Sequence, residues 1–138
     1  MNPIGFRSRL LAIGIVLILI VFSAVPAAAA SDEELIQKLV DGSPWEGEYG
    51  YGDSGPAAGT VTVSFTLKGG KLTGELISIT GRTTAYPGPL AWLEVKGGKV
   101  TFVTPSNGVS NELRSEDGKL VGNWQGRSRG WLSLSQKK

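Results

Sequence analysis

Val61-Thr62-Val63-Ser64-Phe65-Thr66-Leu67-Lys68-Gly69-Gly70-Lys71-Leu72-Thr73-Gly74-Glu75-Leu76 decides the fold. Apolar and polar residues alternate on both sides of Gly69-Gly70. A two-residue type I′ hairpin turn needs positive φ at both central residues, which Gly-Gly and Asp-Gly supply. The signature recurs at Gly97-Gly98-Lys99 and Asp117-Gly118-Lys119, each followed by Val or Leu. The chain therefore reads as an antiparallel meander whose register runs outward from its turns.

Pairing outward from Gly69-Gly70 sets Leu67 against Leu72, Phe65 against Gly74 and Val63 against Leu76. The other face holds Thr66/Thr73, Ser64/Glu75 and Thr62/Ile77. From Gly97-Gly98, Val95 meets Val100 and Leu93 meets Phe102. From Asp117-Gly118, Glu116 meets Lys119 and Leu113 meets Gly122. The apolar set falls on one face each time, and a one-residue slip would turn it to water. Gly74 and Gly122 each oppose a bulky residue, as a curved interior requires. Trp45, Gly47, Tyr49 and Tyr51 share one parity, Glu46 and Glu48 the other.

Strands are expected at 45–51, 60–68, 71–79, 90–96, 99–104, 109–115, 119–125 and 130–135. The fold class is all-β, an up-and-down meander closing into an eight-stranded barrel. Before it, residues 31–41 read as a short helix, with Ser31 and Glu34 as a capping box and Leu35, Ile36, Leu39 and Val40 as its apolar stripe. Gly42 and Pro44 end it. In a meander, alternate turns lie at opposite ends. The three tight turns share one end, which the helix is placed to plug. The longer connections, near 52–59, 80–89, 105–108 and 126–129, ring a mouth at the other. Small barrels are often filled by their own side chains, and the large inward residues here favour that over a cavity.

Residues 1–30 read as a secretory signal peptide: Arg7 and Arg9, an uncharged run from Leu10 to Val25, then Pro26 and Ala27–Ala30. The apolar run is slightly short for a membrane span of about 17–25 residues. The domains expected are the signal peptide at 1–30, a helix and linker at 31–44 and the barrel at 45–138. The location expected is exported, periplasmic or extracellular, with a mature form that does not span the membrane. Without Arg7 and Arg9 the basic and acidic residues balance, so no nucleic-acid partner is implied. The chain has no cysteine, hence no disulfide framework.

The absence of His and Cys removes histidine- and cysteine-based nucleophilic catalysis and the usual zinc ligand sets. No cofactor is implied, and enzyme activity is not expected. The mouth gathers Tyr51, Arg82, Tyr86, Trp124, Arg127 and Arg129, with Asp53 the one carboxylate there. Guanidinium forks pair carboxylates, so these residues suit an apolar or amphipathic anion. The outward parity of Ile77, Ile79, Leu90, Trp92 and Val103 forms a second candidate, an apolar face for a partner protein.

The run Asp117-Gly118-Lys119-Leu120-Val121-Gly122-Asn123-Trp124 resembles the D-G-x-L-x-G-x-W pattern of small secreted bacterial lipocalin-like (calycin-type) domains. Trp45-x-Gly47-x-Tyr49 is similar to their opening motif. Ser43-Pro44-Trp45 departs from the G-x-W that opens lipocalins proper. The resemblance implies a barrel that binds an apolar molecule or serves as an accessory to a partner protein.

Overall fold

A computed structural model describes residues 27–137. The expected leader falls largely outside them. Helix α1 (Ala27–Asp41) precedes nine strands: β1 (Trp45–Tyr51), β2 (Ala57–Lys68), β3 (Lys71–Ile79), β4 (Gly88–Pro89), β5 (Ala91–Lys96), β6 (Lys99–Thr104), β7 (Val109–Glu116), β8 (Lys119–Gln125) and β9 (Arg129–Gln136). They form one antiparallel sheet in the order β4-β3-β2-β1-β9-β8-β7-β6-β5, a nearly closed barrel.

The count is nine rather than eight. Gly88 and Pro89 pair with Leu76 and Glu75 of β3. The Leu90 N–H then donates to the Gly74 carbonyl at 2.9 Å. Beyond Leu90 the same run of chain becomes β5, so this short strand brings the two ends of the sheet together.

All three tight turns have positive φ at both central residues: 57° and 81° at Gly69-Gly70, 60° and 79° at Gly97-Gly98, 52° and 79° at Asp117-Gly118. The pairings next to each turn follow from that geometry, including Phe65 with Gly74 and Leu113 with Gly122. A Cβ on Gly74 would lie 2.7 Å from Leu90, 3.2 Å from Leu93 and 3.3 Å from Phe65. The glycine therefore makes room at the closing seam as well as for its cross-strand partner.

Two expected pairings fail, each at a β-bulge. In β2–β3 the register shifts after Thr62, which pairs with Ser78 instead of Ile77. In β5–β6 it shifts between Ala91 and Glu94, so Trp92 and Leu93 together occupy the place opposite Phe102. An extra residue in one strand reverses the parity beyond it. The expected outward row is split as a result. Ile79 and Leu90 pack against the core, while Ile77 and Trp92 stay exposed and Val103 is half-buried.

The tight-turn half of the barrel is filled. Trp45, Phe65, Val100, Leu113, Leu120 and Leu134 are buried there, beneath Leu39 of α1. The helix begins at Ala27, so Ser31 is interior to it and the expected capping box does not stand at its start. Asp32 instead accepts from the Gly97 N–H at 3.1 Å and the Gly98 N–H at 2.8 Å, tying the helix to the β5–β6 turn. The Trp45 indole N–H donates to the Leu39 carbonyl at 2.9 Å. The Ser43 hydroxyl donates to the same carbonyl at 2.7 Å and accepts from the Phe65 N–H at 2.7 Å. Among the described residues no helix is long and apolar enough to cross a membrane.

Candidate functional site

The mouth half of the barrel is open, against the expectation of a filled interior. It holds a cavity of about 840 Å³, within the range of small-molecule sites. The wall is made by the inward residues Val61, Val63, Leu76, Ile79, Phe102 and Leu132, with Tyr49, Tyr51 and Trp124. The two bulges contribute directly, because they turn Ile79 and Leu90 into this wall.

The connection 80–87 is fastened across the opening. Tyr49 and Tyr51 lie two apart on β1 and point the same way. Their hydroxyls donate to carbonyls also two apart, Tyr49 to Thr80 at 2.6 Å and Tyr51 to Arg82 at 2.8 Å. At the far end the Tyr86 N–H donates to the Ser106 hydroxyl at 2.9 Å. Ala85, between these anchors, is buried and faces the cavity. Burial raises the Tyr49 phenol above its ordinary pKa, and the neighbouring Tyr51 adds to this. The buried hydroxyl is therefore held as a neutral donor.

Four of the six mouth residues expected from the sequence, Tyr51, Arg82, Trp124 and Arg127, line the cavity. Arg129 does not. It forms an exposed ion pair with Asp53 at 3.7 Å. Tyr86 is exposed and borders a smaller cleft of about 180 Å³. Arg82 and Arg127 are the charged side chains of the lining, which contains no carboxylate. Neither arginine takes part in an ion pair among the described residues. Asn107 is engaged with Thr104 and with the Val109 N–H at 3.3 Å, so it shapes the β6–β7 turn.

Sequence reasoning missed Asn111. It sits in the cavity wall, only 8% exposed, and its amide Nδ2 donates to the Val109 carbonyl at 3.2 Å. The signal was present in the alternation of β7, where Val109, Asn111 and Leu113 share the inward parity and one of them is polar.

On the outer surface Trp92 is 84% exposed and has φ of 55°. Trp131 also faces outward, but its indole N–H donates to the Gly55 carbonyl at 2.8 Å, which holds the turn after β1.

Comparison of the chain with family models, curated proteins and solved structures gives no match. The barrel and its cavity therefore have to be read on their own chemistry.

Proposed function

We propose that this is an exported, non-enzymatic lipocalin-like barrel that takes a small apolar or amphipathic anion into its mouth. One observation carries the reading. An apolar cavity opens at a rim whose charged lining is Arg82 and Arg127, both basic and neither paired with an acid among the described residues. Burying an apolar chain in the wall contributes about 25 cal/mol per Å² removed from water. An arginine fork adds charge-assisted hydrogen bonds to a carboxylate or phosphate. The all-β barrel form and the tail motif around Trp124 support the lipocalin-like part of the reading.

The test is titration with dodecanoate, followed by the fluorescence of Trp124 and by calorimetry, with dodecanol as the uncharged control. The reading expects saturable binding of the acid, weaker binding of the alcohol, and loss of the difference in Arg82→Gln/Arg127→Gln. Equal affinity for acid and alcohol would remove the anionic part. No binding of either would remove the whole.

A second reading, docking of a partner protein on the outer face, is supported by Trp92. A large aromatic that is both solvent-exposed and held in the left-handed region gains little from its own fold.

A further inference from the structure

Among the described residues Asn111 is the one buried polar residue apart from the buried aromatics, and it belongs to the cavity wall. It stands opposite Phe102 on β6 and Trp124 on β7's other neighbour, β8, so aromatic rings flank it on both sides. A primary amide carries two donors and a two-lone-pair acceptor. The bond from Nδ2 to Val109 uses one donor. No side-chain nitrogen or oxygen among the described residues is sealed without a partner. The Oδ1 of Asn111 accepts from no group among the described residues and is not sealed, so it is open to the cavity that Asn111 lines. An acceptor is thus presented inside a wall that is otherwise largely apolar.

We propose that Asn111 is a specificity residue, selecting amphipathic anions that carry a hydroxyl on the apolar chain. This rests on the binding reading above and narrows its ligand class. A chain hydroxyl can donate to Oδ1. A plain alkyl chain in the same place strips the amide of water and returns nothing, and that is how a site built around a polar group rejects the analogue lacking it. The position of Asn111 bears on where the hydroxyl sits. Asn111 pairs with Trp124 on β8, and Arg127 lies in the loop beyond the end of that strand at Gln125. The hydroxyl therefore belongs to the chain and not to the anionic head that Arg82 and Arg127 receive.

The experiment compares dodecanoate with its positional monohydroxy isomers on the wild-type protein, by calorimetry, and repeats the series on Asn111→Leu with near-ultraviolet circular dichroism to confirm folding. The wild-type comparison stands even if the variant does not fold. We expect one isomer, or two adjacent ones, to bind about tenfold more tightly than dodecanoate, the worth of one well-made buried hydrogen bond. In Asn111→Leu that preference disappears and dodecanoate itself binds more tightly. Equal affinities across the wild-type series, or a preference that survives in Asn111→Leu, would overturn the assignment of Asn111 while leaving the cavity a binding site. Failure of every acid to bind the wild-type protein would overturn both.

Discussion

Tyr51 stands edge-on to Trp124, with ring centroids 5.2 Å apart and planes at 84°, while its hydroxyl holds the Arg82 carbonyl at 2.8 Å. One side chain thus links the cavity wall to the loop that crosses the opening and to a rim arginine. Tyr49, two residues earlier, makes the matching bond to Thr80 from a buried position. The inner bond is buried, and the outer one sits at an exposed tyrosine where water can compete for it.

Tyr51→Phe should therefore change rates more than affinity. Removing the hydroxyl frees the Arg82 carbonyl to water and loosens the loop. Stopped-flow fluorescence with dodecanoate should show association and dissociation both faster by several-fold, with thermal stability lowered by no more than about 1 kcal/mol, since the bond is exposed. Unchanged rates would mean that the loop does not gate entry.

Tyr49→Phe acts differently. At neutral pH it leaves the Thr80 carbonyl without its buried donor and should lower stability by about 1–2 kcal/mol. The alkaline limb gives the sign of its titration. Because the folded-state pKa is raised by burial, the unfolded chain ionises first, from about pH 10 upward. Stability contributed by the neutral phenol is present below that pH and is lost as pH rises through the folded-state value. Denaturant melts between pH 9 and pH 11 should fall less steeply for Tyr49→Phe than for the wild type.

Gly74→Val should be severely destabilising. The new side chain would meet Leu90, Leu93 and Phe65 at the seam where the barrel closes. Overpacking of this kind costs about 1–3 kcal/mol, and loss of the β3–β4 contact would add to it. A melting temperature equal to that of the wild type would contradict the register described for β2 and β3.

Trp92→Gly should be neutral to stabilising. The ring is 84% exposed and contributes little packing, while glycine adopts a φ of 55° without the strain a bulky residue carries there. Thermal denaturation should show no loss, and a gain of about 1 kcal/mol is expected. A large loss would show Trp92 to be buried and would remove the outer-face reading.

Much of this was legible in the sequence for a local reason. Turn chemistry at Gly69-Gly70, Gly97-Gly98 and Asp117-Gly118 fixes backbone hand and register within a few residues, so the strands and the pairs near each turn follow from composition. Legibility fades with distance from the turn. The bulges at Ile77 and Trp92 insert one residue without any glycine, proline or polar marker, and everything beyond them changes face. Alternation counted without the bulges puts Ile79 and Leu90 outside, whereas they line the cavity. The cavity depends on the summed bulk of inward residues from many strands: Trp45 and Phe65 are packed over, while Val61 and Leu132 border open space. The connection 126–129 puts Arg129 at the mouth with Arg127, but only Arg127 lines the cavity, while Arg129 pairs with Asp53 on the surface.

Native mass spectrometry of the mature protein, isolated gently from the cells that make it, tests the central claim most directly. A barrel that binds an amphipathic anion should carry a single small added mass, retained at low collision energy and absent from Arg82→Gln/Arg127→Gln. Bare polypeptide in every preparation, together with no uptake of dodecanoate, would contradict it and leave the cavity without a ligand of this class.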